Sequence, residues 1–145
     1  MKQFAIALTA AVAAASAHAG ETPSAPGARV YFVNVADGDT IKAGSVVQFG
    51  LSGMGIAPAG YEADNTGHHH LFINRPTLGE GEFGAEEFDD PIPADENHMH
   101  FGGGQTETAL DLPPGEHTIQ LVLGDWSHIP HEPPVISEVI SITVE

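Results

Sequence analysis

From Arg29 onward, apolar and polar residues alternate with a period of two, the pattern of strands that bury one face. Residues 29–35 (RVYFVNV), 45–52 (SVVQFGLS), 68–74 (HHHLFIN), 105–112 (QTETALDL), 117–124 (HTIQLVLG) and 135–144 (VISEVISITV) are the runs that predict strands. In the run at 117–124, His117, Ile119, Leu121 and Leu123 share one face, while Thr118, Gln120 and Val122 share the other. Helical periodicity is not convincing anywhere. Asp37-Gly38-Asp39-Thr40 offers turn chemistry between the first two strands. A calcium loop would need a later Asp or Asn and a distant Glu, so the two acids read as turn residues. Leu112-Pro113-Pro114-Gly115-Glu116 reads as a tight reversal joining two strands in a hairpin. Short strands, frequent turn signals and no helices predict an all-β fold, an antiparallel immunoglobulin-like or cupredoxin-like β-sandwich. A small barrel is the second choice.

Two stretches lie outside this alternation. Met1 and Lys2 precede an apolar run at 4–15 that leads into Ser16-Ala17-His18-Ala19, the small-x-small pattern that signal peptidase accepts. Residues 1–19 are therefore predicted to be a signal peptide, residues 20–28 a flexible Pro/Ser/Gly-rich leader, and residues 29–145 a single sandwich domain, periplasmic or secreted. The apolar run is shorter than the roughly 18 to 20 residues a membrane span needs, so no span is expected. Residues 75–104 hold eight acids, one base, six Gly and three Pro. Thirty structureless residues are unusual in a compact domain, so this stretch hides either a short strand near 83–88 or a functional flap.

The charge changes the picture of partners. Twenty acidic residues against four Lys and Arg give a formal charge of -16. Binding to a phosphate backbone needs clustered Lys and Arg, and nucleic acid is excluded on that ground. Cations or cationic partners are favoured instead, although the same charge also serves solubility. There is no Cys, so an exported chain would have to hold itself together by apolar burial, and thiolate leaves the roll of metal ligands and nucleophiles.

Imidazole is the remaining distinctive chemistry. Outside the predicted signal peptide the His residues fall at His68 to His70, His98 with His100, His117, and His128 with His131. Successive strands of an antiparallel sandwich alternate in direction, which delivers three of these groups to one pole and His117 to the other. Residues two apart in an extended chain point the same way. On this basis His68, His70, His98, His100, His128 and His131 are the candidate ligands of a copper or zinc ion, whose preferred donors include imidazole nitrogen. Asp125 is placed to accept the second ring N–H of a ligand His. Met99 or Met54 would add a soft thioether that favours Cu(I). Trp126 is placed to shield the site. His69, which shares a face with Leu71 and Ile73, and His117 are read as structural. The rival reading of the whole group is a hydrogen-bonded polar cap on a non-catalytic adhesion or scaffold module. A metal hydrolase or oxidase would need an open coordination position and a general base such as Glu107. The expected partners are a metal ion and, for metal delivery, a periplasmic protein.

Other catalytic patterns are weak. Asp125, Ser127 and His128 are sequence neighbours without a Gly-x-Ser-x-Gly elbow. Gly102-Gly103-Gly104 has no following Lys-Ser/Thr and reads as a flexible strand lead-in rather than a phosphate loop. Glu86-Glu87 and Asp89-Asp90 lack an aromatic sugar platform beside them.

Three blocks carry a family resemblance: Gly67 to His70 (GHHH), His100 to Glu107 (HFGGGQTE) and Gly124 to His131 (GDWSHIPH). They resemble the signature blocks of the bacterial domain of unknown function 4399 family, over roughly residues 66–144. The resemblance implies an exported domain and assigns it no particular activity.

Overall fold

The computed structural model describes residues 22–145. The predicted signal peptide lies outside the described residues. Nine strands follow in order: β1 (Arg29–Phe32), β2 (Thr40–Ile41), β3 (Ser45–Ser52), β4 (Gly55–Ile56), β5 (Thr66–Ile73), β6 (His98–His100), β7 (Glu107–Leu110), β8 (Gly115–Gly124) and β9 (Ile140–Val144). Together they build the expected all-β sandwich. The smaller sheet has the order β1-β3-β7, and the larger runs β2-β9-β8-β5. The far edge of β5 is shared by β4, which pairs with Thr66 and Gly67, and β6, which pairs with residues His70 to Phe72. No described helix is long and apolar enough to cross a membrane.

The period-two pattern sorts the two faces as read from the sequence. Val30, Val47, Phe49 and Leu110 from the smaller sheet meet Leu71, Ile73, Ile119, Leu121, Leu123, Ile142 and Val144 from the larger in one apolar core. Each such side chain contributes roughly 1.5 to 3 kcal/mol by leaving water. The opposite face of β5 and β8 is also covered. There Phe72 and Val122 pack with Leu78 and Ile92, and Phe88 and Ile136 lean against them. β5 is consequently buried on both sides, which a sandwich strand with one wet face would not be.

That cover is the acid-rich stretch. It holds no strand at 83–88; a 3-10 turn occupies Gly84–Phe88, and the strand hidden in the stretch is β6. Its apolar residues, Leu78, Phe88 and Ile92, are too few and too irregular to betray a face, yet they suffice to anchor it. Arg75 locks it from below through both carboxylate oxygens of Glu87, at 2.9 and 2.7 Å.

Two further departures from the sequence reading have local causes. β7 and β8 are not a hairpin: β7 pairs with β3 and β8 with β5 and β9, so residues 111–114 carry the chain from one sheet to the other. Pro113 and Pro114 have no N–H to give a ladder, and Gly115 takes φ 139 as the chain enters β8. The sheets are also not wholly antiparallel, since β2 pairs with β9 and β4 with β5 in parallel. Thr22 and Ser24 meet the loop that follows β8. Ser24 N–H donates to Glu132 O, Glu132 N–H donates to Thr22 O, both at 3.0 Å, and Ser24 Oγ donates to Pro133 O at 2.7 Å.

Candidate metal centre

β5 alternates its three consecutive imidazoles between the two covered faces. His69 turns into the core, with its ring 5.4 Å from that of Phe49. His68 and His70 turn to the outer face that also carries Phe72. β6 lies antiparallel on the edge of β5 with His100 opposite His70, and β8 pairs on the other edge with Val122 opposite His70 and Gly124 opposite His68. The loop after β8 then brings in His128. Sequence separations of 28 to 60 residues collapse to ring-centroid separations of 4.6 Å for His100 and His128 and 5.1 Å for His68 and His128.

One nitrogen from each of His68, His70, His100 and His128 lies within 4.8 Å of all the others. His68 Nε2 stands 3.0 Å from His70 Nε2 and 3.1 Å from His128 Nδ1. A tetrahedral ion with nitrogen ligands at 2.0 to 2.1 Å sets its donor atoms about 3.3 Å apart. The two close pairs would open by a few tenths of an ångström and the widest separations, up to 4.8 Å, would draw in for the four nitrogens to share a transition-metal ion. Burial followed by the neighbouring imidazoles of His68, His100 and His128 pushes His70 down to about 2. Burial, then His128 and His100, pushes His68 down to about 4, with Asp125 opposing. His100 is lowered too, by burial and then by His128. At neutral pH the rings of His68, His70 and His100 are thus uncharged and keep a lone pair for a cation. The outward nitrogens, Nδ1 of His68 and of His70, are buried and have no hydrogen-bond partner among the described residues. Sheet packing, rather than hydrogen bonding at Nδ1, orients these two rings.

His128 depends on its loop. Its φ of 71 lies in the left-handed region, which a non-glycine residue enters only when its surroundings hold it there. Asp125 does the holding. Its Oδ1 accepts from Ser127 N–H at 2.8 Å and Ile129 N–H at 2.9 Å, and its Oδ2 accepts from Thr22 Oγ at 2.6 Å. Asp125 thus acts on the backbone that presents His128 and, contrary to the sequence expectation, accepts from no imidazole N–H among the described residues. Thr22 links the N-terminal residues to the same loop, a tie that no sequence motif announced.

Two glycines make room for the rings. A Cβ at Gly124 would stand 2.7 Å from His70 Nε2, and one at Gly102 would stand 2.4 Å from His100 Cε1. Gly102, read as part of a flexible lead-in, instead lets the backbone pass close to His100. Gly124 has no left-handed φ, so Gly124→Ala is a purely steric test. It should displace His70 and weaken Zn(II) binding by about tenfold while the protein still unfolds cooperatively, as read by calorimetric titration beside a thermal melt. An unchanged affinity would remove His70 from the ligand set.

The structure gathers four of the six sequence candidates and leaves two outside. His98 lies on the same face as His100 but is held elsewhere. Its Nδ1 donates to Asp95 Oδ1 at 2.7 Å, and its Nε2 accepts from Arg75 Nη1 at 2.6 Å. His131 is 2% exposed, with Nδ1 at 3.3 Å from Leu123 O and Nε2 at 3.1 Å from Thr66 O. Both of its nitrogens are engaged with backbone carbonyls, and it fastens its loop to β5. His117 sits near the other end of β8, between Asn74 Nδ2 and Pro113 O, each at 2.8 Å. Met54 and Met99 pack against the inter-sheet core and contribute no thioether to the group. Trp126 is 41% exposed and forms no aromatic pair with these rings among the described residues, so it does not shield them. Glu107 is an exposed residue of β7, in the other sheet, where it accepts from Gln48 Nε2 at 3.1 Å.

An all-β sandwich whose larger sheet carries a cluster of imidazoles on its covered outer face is the class these coordinates define. The chain belongs to the family described as Domain of unknown function (DUF4399), whose profile matches residues 47–145. No curated protein and no solved structure matches it.

Proposed function

We propose that this protein binds one divalent transition-metal ion, zinc or copper, through His68, His70, His100 and His128, and serves in metal storage, delivery or protection in the periplasm. The carrying observation is the convergence of four ring nitrogens from two strands and a loop within 4.8 Å. An all-nitrogen donor set suits Zn(II) and Cu(II), and the packing of the half-buried Met54 and Met99 against the core argues against a Cu(I) site. Four protein ligands fill a tetrahedral shell, the mark of holding rather than hydrolytic sites, and Glu107 stands in the wrong sheet to act as a base. A purely hydrogen-bonded polar cap would supply partners to Nδ1 of His68 and His70, and neither has one. His100 is exposed and His128 half-buried, which gives an ion a way in and out. The charge of -16 raises the local cation concentration around that opening.

Calorimetric titration of untagged protein with Zn(II) and with Cu(II) tests the reading. One ion per chain is expected, with affinity lowered at least about a hundredfold in a His100→Ala/His128→Ala variant. The same affinity in that variant, or no binding by the parent, rejects it.

A further inference from the structure

Beneath the acid-rich cover, beside the imidazole group but separate from it, lies a cavity of about 490 Å³. That volume falls in the range of small-molecule sites. Its inner wall is apolar: Phe72, Leu78 and Ile92, all buried, belong to the second packed cluster. Phe83, which is 64% exposed, is among the residues that line the cavity. A large aromatic left this open at the lip of a concave apolar surface can be covered by a ligand.

The polar lining decides the sign of the charge that fits. Arg75 is the basic side chain among the lining residues, and its guanidinium is already engaged. Nη2 meets both Glu87 oxygens, Nη1 donates to His98, Nε donates to Pro76 O at 2.9 Å, and the planar group lies 4.5 Å from the centroid of Phe72. His98 is engaged as well, with Nε2 at Arg75 and Nδ1 at Asp95 Oδ1. With Glu87 matched by Arg75 and Asp95 held by His98, the carboxylates of Glu82 and Asp90 remain around the cavity without a cationic counterpart in its wall. An anion would meet repulsion there. A bare metal ion would meet an apolar floor that offers no converging donors. A molecule with an apolar body and one positive group satisfies both halves: the body against Phe72, Leu78 and Ile92, the charge toward the acidic lip, and the face of Phe83 available for a cation–π contact.

We propose that this cavity binds a small organic cation, an amine or quaternary ammonium carrying an aromatic or branched aliphatic body. The inference stands apart from the metal reading, because none of the four clustered imidazoles lines the cavity.

The probe is 2-phenylethylammonium, compared with 3-phenylpropanoate, which carries the opposite charge, and ethylammonium, which lacks the body. Protein NMR titration in low-salt buffer should show saturable shifts at Phe72, Phe83 and Ile92 with the aromatic amine. Affinity should be at least about tenfold weaker for each of the other two probes. Phe83→Ala and the double substitution Glu82→Gln/Asp90→Asn change exposed side chains and should leave the fold intact. Each should weaken the aromatic amine by about fivefold or more, and His100→Ala/His128→Ala should leave it unchanged. Equal binding of the anion, a response to ethylammonium as strong as to the aromatic amine, indifference to both sets of cavity substitutions, or no saturation at millimolar probe would each overturn the proposal.

Discussion

Zinc at a hundredfold excess over its dissociation constant is expected to raise the unfolding free energy by about 2.7 kcal/mol, and the melting temperature by roughly 10 °C. The size follows from linkage: an ion that binds the folded chain and not the unfolded one stabilises the former by its occupancy. The ligand set is suited to that selectivity, because His68, His100 and His128 come together only when β5, β6 and the loop after β8 are all in place. An unfolded chain offers at best the local pair His68 and His70 or His98 and His100. The control is again His100→Ala/His128→Ala. Both residues reach solvent, so their loss leaves no closed apolar void, and metal-free stability should change by less than about 1 kcal/mol. The zinc-dependent rise should disappear in this variant, and a chelator should reverse it in the parent. A rise of similar size in the double variant would place the ion elsewhere, and no rise in the parent at millimolar zinc would leave the cluster without a cation to hold.

Much of this site was legible as faces, and little of it as positions. Period-two alternation by itself assigns His68 and His70 to one side of β5 and His69 to the other. Parity, however, gives a direction and not a destination. His98 and His100 obey the same rule as His68 and His70, yet the rings of His68 and His70 close to 4.8 Å while His98 is drawn off by Asp95 and Arg75. Those two partners come from a segment whose apolar residues have no period, so nothing in the sequence said that it folds back over the sheet. His131 presents a related difficulty. It sits in a block that reads like metal-ligand spacing, but its nitrogens meet the carbonyls of Thr66 and Leu123, and such backbone matching depends on tertiary placement. Asp125 was recognised as important and given the wrong partner. An Asp two residues before Ser127 is also a side-chain-capped turn, the role it plays here, and that signal was present in the sequence. The proline reversal before β8 misled for a comparable reason, since a tight turn reports that the chain bends and not which sheet receives it.

Acid should destabilise the metal-free protein steeply, starting well above the range in which carboxylates titrate. In the unfolded chain the imidazoles bind protons near pH 6.5. In the folded protein burial pushes His69 down to about 4, His68 falls to about 4 and His70 to about 2. Below pH 6.5 the unfolded state therefore takes up protons that the folded state refuses. Each such histidine removes about 1.4 kcal/mol per pH unit until the pH reaches its folded value. Above pH 6.5 both states are neutral at these positions, and the effect vanishes. Three groups acting between pH 6.5 and 4 remove about 10 kcal/mol, a loss comparable to the ordinary 5 to 15 kcal/mol margin of a domain, so acid unfolding should set in within that window. His69 isolates the cause. It lies outside the imidazole cluster, desolvation alone lowers it, and neither of its buried nitrogens has a partner among the described residues. Urea unfolding of His69→Leu in chelator, compared with the parent at several values between pH 7.5 and 4.5, should show the slope against pH reduced by about one proton. Stability at pH 7.5 should rise by roughly 1 to 3 kcal/mol, because an unpaired polar ring gives way to an apolar one beside Phe49. An unaltered slope would mean that His69 takes up its proton in the folded state, and the buried position of its ring would then be wrong.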